Sequence, residues 1–313
     1  MSLHDNYRKF NASITLSSDK KGKLKRSRNA VRDDIRTYFR ESLNDKAPRF
    51  HQQGSIAMGT TVNPLNGDYD IDDGVYLQNL AEHKADWPSV DKVRGWLIEA
   101  TKDRTSEPPQ NKRNCVRVRY KDGYHVDLPS YGEEDSKYYL SQKTPAPEWV
   151  LSDPKEFTDW FLNKIGIHGE QLRSCVKYLK AWADFKSIEF PGIAVTILAA
   201  EEFSGNIDRD DLAMKNTVRN ILIRLKCSRI ISKPVFPYDD VLSSMSDPQI
   251  ETLLEYLETL LAKLNEAYEE EDEEDAARIL QRQYGDRFPV IEHKPRKHKP
   301  VVVTPASPRP WSR

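Results

Sequence analysis

Asp70 and Asp72 stand on either side of one apolar residue in the run Asp68-Tyr69-Asp70-Ile71-Asp72-Asp73-Gly74-Val75-Tyr76. On a strand, side chains two positions apart leave the same face, so both carboxylates point one way while Ile71 turns into the core. Carboxylates held that close repel each other, and at neutral pH a hard divalent cation is what neutralises them. Magnesium or manganese is the expected ion. Upstream, Gln52-Gln53-Gly54-Ser55 supplies a complementary half. A glycine lets backbone N–H groups approach a phosphate closely, and a serine hydroxyl adds one more donor. A triphosphate would sit between that turn and the metal ions.

A further carboxylate is brought in by a hairpin. Cys115-Val116-Arg117-Val118-Arg119-Tyr120 alternates apolar and basic residues, Asp122-Gly123 is a turn signal, and Tyr124-His125-Val126-Asp127-Leu128-Pro129 returns as a strand. Asp127 is thereby expected beside Asp70 and Asp72. Carboxylates on two adjacent strands can hold two metal ions, one activating an attacking hydroxyl and the other binding the triphosphate and leaving group. Arg117 and Arg119 share a face, which could meet phosphates or form the basic side of a surface strand.

The elements that must position these residues follow from apolar spacing. Val31, Ile35, Phe39 and Leu43 recur on one face of a long helix over 19–43, which could brace two lobes. The first 18 residues read as polar and loosely ordered until they dock. Asn63 to Asp68 is dense in turn formers, Asp73-Gly74 suggests a local bulge or twist, and Val90, Val93, Leu97 and Ala100 mark a helix covering the sheet. Beyond about residue 150 the pattern is helical, including Leu172, Cys175, Val176, Leu179 and Trp182, with Trp182 in the core and Lys177 solvated. Asp247-Pro248 opens a further helix, with Asp247 as its N-cap. The expected class is α+β, with a mixed sheet and helices in a core lobe over 1–165, a C-terminal helical bundle over 166–285, and a mobile proline-rich basic tail over 286–313.

Bulk composition narrows the function classes. A chain of 313 residues is long enough for two lobes with separate cores. No stretch is apolar enough to span a bilayer and the N-terminus shows no signal pattern, so the chain reads as cytoplasmic. The 3 cysteines are far apart and the 7 histidines form no helical His-x-x-x-His pair, which leaves neither a disulfide framework nor a zinc hydrolase site. Any metal is held by oxygen. A net charge of −1 argues against a nucleic-acid coat, and the basic block from Lys20 to Arg40 reads better as a solvated helix face than as a polyanion site.

Four segments together resemble the bacterial cGAS/DncV-like nucleotidyltransferases (CD-NTases), the cyclic oligonucleotide synthases of CBASS anti-phage systems. They are Gln52-Gln53-Gly54-Ser55, Asp70-Ile71-Asp72-Asp73-Gly74-Val75-Tyr76, His125-Val126-Asp127-Leu128-Pro129-Ser130-Tyr131, and Cys175-Val176-Lys177-Tyr178-Leu179-Lys180-Ala181-Trp182. They fall in the family's order and are most similar to the branch containing the vibrio cyclic GMP-AMP synthase. The Gly-Ser and Asp-x-Asp pair alone marks only the wider polymerase-β-like superfamily; the later segments narrow it.

The resemblance implies a polymerase-β-like core in which Asp70, Asp72 and Asp127 are catalytic and bind two Mg2+ or Mn2+ ions. It further implies that Gln53, Gly54 and Ser55 line the donor triphosphate, that Lys180 reaches it from the helical lobe, and that Tyr131 stacks on a nucleobase. The implied reaction is attack of a ribose hydroxyl on an α-phosphate with loss of pyrophosphate, repeated until the product closes. Substrates would be ATP, GTP or pyrimidine triphosphates, with no obligatory nucleic acid, no membrane, a monomeric enzyme, and a downstream effector that binds the product. The rival readings are a polymerase-β-like transferase acting on RNA or an antibiotic, and a non-catalytic nucleotide sensor. The chain departs from the family at Pro191-Gly192-Ile193-Ala194, where a triphosphate-binding serine is common, leaving Thr196 or Ser187 as substitutes. Its C-terminal Trp311-Ser312-Arg313 also lacks the small residue used for conjugation in some relatives.

Overall fold

In the computed structural model, which describes residues 2–143 and 146–291, the chain forms α1 (His4–Ile14), α2 (Ser18–Glu41), β1 (Arg49–Gln53), α3 (Gly54–Met58), β2 (Tyr69–Tyr76) and α4 (Val90–Thr101). The strands β3 (Gln110–Asn111), β4 (Val116–Tyr120), β5 (Tyr124–Leu128), β6 (Ser130–Glu134), β7 (Lys137–Gln142) and β8 (Glu148–Leu151) follow. The remainder is helical: α5 (Pro154–His168), α6 (Glu170–Lys186), α7 (Gly192–Glu201), α8 (Asp210–Cys227), α9 (Asp247–Glu269) and α10 (Glu273–Tyr284). Among the described residues no helix is long and apolar enough to cross a membrane.

β2 is the hub of a mixed sheet ordered β3-β4-β5-β2-β6-β7-β8, with β1 also paired to β2. β1 runs antiparallel to β2, while β5 and then β6 run parallel to it along successive stretches. Ile71 and Val75 are fully buried on one side of the strand, beneath Leu24, Val31, Ile35 and Phe39 of α2 and Val93 and Leu97 of α4. The opposite side carries the aspartates. The expected bulge at Asp73-Gly74 is absent, because the pairing of β1 with β2 runs through both residues without a break. Gly74 answers a spatial demand: a Cβ there would lie 2.7 Å from Gln53 Oε1 and 2.8 Å from the Tyr76 ring.

Part of the basic block of α2 is engaged within the molecule, while Lys21, Lys25, Arg26 and Arg40 are exposed. Arg32 holds the fully buried Asp73 through Nε and Nη2, with Nε 2.6 Å from Oδ2. Arg28 donates to Gln52 at 2.6 Å, Lys20 donates to Asn63 at 2.6 Å, and Lys23 pairs with Asp122. The helix braces the back of the sheet with its charges as well as with its apolar stripe.

A second apolar cluster belongs to the helices, and it draws in both ends of the described chain. Leu3, Tyr7, Phe10 and Ile14 of the N-terminal segment pack with Val176, Tyr178, Leu179, Tyr284 and Phe288. The opening segment, expected to be loose, is therefore a docked helix: its apolar residues recur at three- and four-residue spacing and bury one stripe against α6 and α8. Phe161 and Ile165 of α5 join the same cluster, so α1, which falls within 1–165, packs with the helical lobe, and α5, which straddles residue 165, packs both on that lobe and on α3 and β1. The expected tail also starts later than 286. Phe288 is fully buried, and Arg287 donates to the carbonyls of Asn63 and Ala181 and to Asp184. The rest of that tail, from 292 on, lies outside the described residues.

Lys177, expected to be solvated, is 8% exposed. Its Nζ lies 3.1 Å from Thr15 Oγ1, where the chain leaving α1 covers it. Burial, with Lys21 and Arg173 acting the same way and Glu170 against them, lowers its pKa to about 8. Helix α9 starts one residue earlier than expected, with Ser246 as N-cap and the Gln249 side chain accepting from the Ser246 N–H at 2.7 Å.

Candidate active site

The β1–α3 turn is shaped by its glycine. Gly54 has φ +70°, and a Cβ at this position would sit 2.0 Å from Asp72 Oδ2. Only a residue without a side chain lets the turn lie against that carboxylate. Ser55 Oγ is 2.8 Å from Thr61 Oγ1, which ties the start of α3 to the segment that follows it. Gln53 is buried, and its Nε2 donates to the Tyr131 hydroxyl at 3.0 Å.

Register places the carboxylates. Asp70 is paired with His125 and Asp72 with Asp127 across the parallel β2–β5 ladder, and Arg117 is paired with Asp127 across β4–β5. Paired residues share a face, so Asp70, Asp72 and Asp127 converge as the sequence implied. Asp127 is 6% exposed and accepts two hydrogen bonds from Arg117, each of 2.8 Å. Arg119 donates to Asp68 at 2.7 Å. The basic face of β4 thus meets carboxylates.

The charges on this face are only partly balanced. Burial raises the pKa of Asp70, with Asp127 pushing the same way and His125, Arg117 and Lys180 opposing. Asp72 is raised further, by burial first and then by Asp70 and Asp127. Such a donor set fits a hard divalent cation, which would replace the missing positive charge. One ligand atom from each of Asp70, His125 and Asp127 lies within 4.8 Å of the others.

Lys180 comes from α6 in the other lobe, and its Nζ lies 3.2 Å from Thr60 Oγ1. Burial lowers its pKa to about 8, and Asp70 and Asp72 oppose that shift. Gly192, at the start of α7, lies beside it: a Cβ there would be in ordinary contact with Lys180 Cε at 3.7 Å. Neither proposed serine substitute is free for a phosphate beside it. Thr196 is fully buried and its hydroxyl donates to the Gly192 carbonyl at 2.7 Å, while Ser187 is the exposed left-handed residue that ends α6. The hydroxyls near the turn are those of Ser55, Thr60 and Thr61.

Tyr131 does not present a free ring. It is 2% exposed and stacked on Tyr76, with ring centres 4.8 Å apart and planes 17° from parallel. The expectation that it stacks on a base is not met in this conformation, because Tyr76 occupies its face. His125, Asp68, Thr60 and Thr61 were given no role by sequence reasoning. Only the adjacency of His125 and Asp68 to Asp127 and Asp70 could have drawn attention to them.

A cleft of about 870 Å³ is lined from both lobes, by Arg113, Asn114, Gln142 and Trp149 on one side and Ile193 and Lys233 on the other. Asp70, Asp72, Asp127 and Lys180 are not among its lining residues; the lining residues Asn114 and Ile193 are next in sequence to Cys115, whose thiol is pushed up by burial and by the neighbouring Asp127, and to Gly192 beside Lys180. This volume lies in the range of sites for small molecules such as nucleotides.

Comparison with known proteins agrees with this geometry. Residues 48–131 match the family model of the nucleotidyltransferase domain of cyclic GMP-AMP synthase DncV-like proteins. A cyclic GMP-AMP synthase of Escherichia coli is 24% identical over 302 residues, which cover 77% of this chain and 68% of that protein. The apo form of Vibrio cholerae DncV superposes with a TM-score of 0.81 at 19% identity, covering 92% of this chain and 96% of the other. Vibrio cholerae DncV in complex with the linear intermediate 5′ pppA(3′,5′)pG gives 0.80 at 19% identity, covering 92% and 97%. This chain carries a DncV-like nucleotidyltransferase domain, set in the polymerase-β-like fold of the vibrio cyclic AMP-GMP synthase.

Proposed function

We propose that this chain joins nucleoside triphosphates into a cyclic di- or oligonucleotide, releasing pyrophosphate at each bond. The observation that carries this reading is the convergence of Asp70, Asp72 and Asp127 on one sheet face, with the Gly54 turn against them and Lys180 approaching from the other lobe. The name of the Escherichia coli relative and the linear intermediate held by the vibrio structure support the same chemistry here.

Asp70, Asp72 and Asp127 would hold two magnesium or manganese ions, which when bound neutralise the triphosphate and favour ionisation of the attacking hydroxyl. The donor triphosphate lies against the N–H groups at the start of α3 and the Ser55 hydroxyl, and Lys180 meets it as a point charge. A triphosphate beside Lys180 raises the pKa that burial has lowered, so the amine is fully charged when substrate is bound. A ribose oxygen attacks the α-phosphorus in line as the bond to pyrophosphate breaks, and Asp127, oriented by Arg117, accepts the hydroxyl proton. Positioning and charge stabilisation do most of the work, and no protein nucleophile is required.

The same reading places the enzyme in the cytoplasm as a monomer that signals phage infection through a separate effector binding its product. It needs no nucleic acid, a view supported by the internal pairing of Arg32, Arg28 and Lys20 within the basic block of α2. The test is a reaction of purified protein with all four triphosphates and Mg2+ or Mn2+, analysed by mass spectrometry. A phosphatase-resistant cyclic species is expected. Transfer only to added RNA or antibiotic would overturn the reading in favour of another polymerase-β-like activity, and nucleotide binding without product would mark a sensor.

A further inference from the structure

His125 has a geometry that the three aspartates do not account for. Its side chain is 5% exposed, at the floor of the acidic face. Nδ1 lies 3.2 Å from Asp68 Oδ1, and the other oxygen of Asp68 accepts from Arg119 at 2.7 Å. A carboxylate oxygen only accepts hydrogen bonds, so Asp68 keeps a proton on Nδ1, and Nε2 is the ring nitrogen left to take a cation, whether a proton or a metal ion. Nε2 has no hydrogen-bond partner among the described residues. It faces Asp70 Oδ2 at 3.9 Å and Asp127 Oδ1 at 3.7 Å, both beyond hydrogen-bond range.

A nitrogen lone pair aimed between two carboxylate oxygens is unfavourable unless a cation lies among them. A carboxylate on one ring nitrogen and a metal on the other is also the usual way a ligating histidine is fixed in tautomer and orientation. We propose that His125 Nε2 is a nitrogen ligand to a divalent ion shared with Asp70 and Asp127. The proposal rests on the metal-dependent reading above, but it concerns the resting protein and needs no turnover.

The consequence is a metal preference. Carboxylate sites suit Mg2+ and Mn2+ alike, whereas imidazole favours transition metals, and Mg2+ strongly prefers oxygen. The site is therefore biased toward Mn2+. Arg119 and Asp68 act through His125 as positioning residues, holding the ring so that Nε2 points inward.

The test is pulsed electron paramagnetic resonance of the nucleotide-free protein loaded with one equivalent of Mn2+. A directly bound imidazole gives 14N modulation, and this pattern is expected in the unmutated chain and absent in His125→Asn. Histidine-specific 15N labelling of the unmutated chain should convert the pattern to that of 15N, a readout that does not depend on the variant folding. Mn2+ affinity should fall about 10-fold or more in His125→Asn, in the range seen when a ligand shell is disturbed, with a smaller loss for Mg2+. Bound Mn2+ without nitrogen modulation, modulation unchanged in the variant, or failure of the nucleotide-free protein to bind Mn2+ would each overturn the proposal. A chain that shows the nitrogen signature yet makes no cyclic product would instead refute the synthase reading and leave this one standing.

Discussion

The two faces of β2 treat the same residue type in opposite ways. Asp73 is fully buried against α2 and is held by Nε and Nη2 of Arg32, so its charge is matched within the protein. Asp70 and Asp72, on the other face, are driven toward the protonated form by burial, with Asp127 pushing on both and Asp70 on Asp72. One face ends its electrostatics internally and the other leaves them to be completed by something that binds. A paired buried charge is part of the scaffold, whereas a group of under-compensated charges on a concave face marks chemistry.

Substitutions can break this contrast from either side. The largest effect is expected from Asp70→Asn with Asp72→Asn, which should lower product formation by about 10³-fold or more while the melting temperature of the metal-free protein holds or rises. A radiolabelled triphosphate assay beside thermal denaturation checks both halves. Asp72→Asn alone should add about 1 kcal/mol to metal-free stability at neutral pH, by removing a carboxylate whose ionisation the fold disfavours. The sign is fixed by the raised folded pKa: the folded state holds the proton more tightly, so stability falls as pH rises through the window between the unfolded and folded pKa values. The advantage of the variant should therefore fade in acid.

Asp73→Ala should act in the opposite direction, costing about 3 kcal/mol in urea unfolding because Arg32 is left without its partner. Its effect on turnover should follow from lost stability alone. Gly54→Ala tests the point where turn and carboxylate meet. The added Cβ collides with Asp72 and the left-handed backbone disfavours it, so a loss of about 2 kcal/mol of stability and about 10²-fold in rate is expected, measured by melting and by initial velocity.

The smallest effect sharpens the comparison on α6, where Lys177 and Lys180 are both lowered to about 8. Lys177 faces Thr15, Lys21, Arg173 and Glu170 and has no role in the reaction above. Lys177→Met should stabilise by about 1 kcal/mol at pH 7. A lysine with a lowered folded pKa costs most below that value, and the cost disappears as pH approaches the unfolded value, so the gain should vanish near about pH 10. Lys180→Met should instead raise KM for the triphosphate.

Much of the site was legible because period-two alternation and a hairpin turn are local signals. Asp70, Asp72 and Asp127 could be placed on one face from spacing alone, and the structure brings them there through the β2–β5 register. What was not legible depends on partners far along the chain. Tyr131 looked available until Tyr76 was found stacked on it, and Lys177 looked solvated because the residue that covers it, Thr15, is 162 positions away. The opening helix was misread for a related reason. Leu3, Tyr7, Phe10 and Ile14 have the spacing of a helix stripe, but they are scattered among polar residues, and their apolar partners lie mostly beyond position 170. His125 belonged to a recognised segment, yet an unpartnered Nε2 can be seen only once Asp68 is placed against the other ring nitrogen.

The aromatic contact between the two ends of the described chain bears on the order in which the enzyme assembles. Tyr7 and Tyr284 meet hydroxyl to hydroxyl across 277 positions, and Tyr178 of the Lys180 helix packs between Tyr7 and Phe10. The sheet with its aspartates draws its own core from residues 16–128, so it can form while the ribosome is still making the helices. The Lys180 helix has no complete bed until residues near 288 have emerged. A nascent chain therefore holds the acidic half of the site well before the basic half is seated, and the two halves can meet only after residue 288 has emerged.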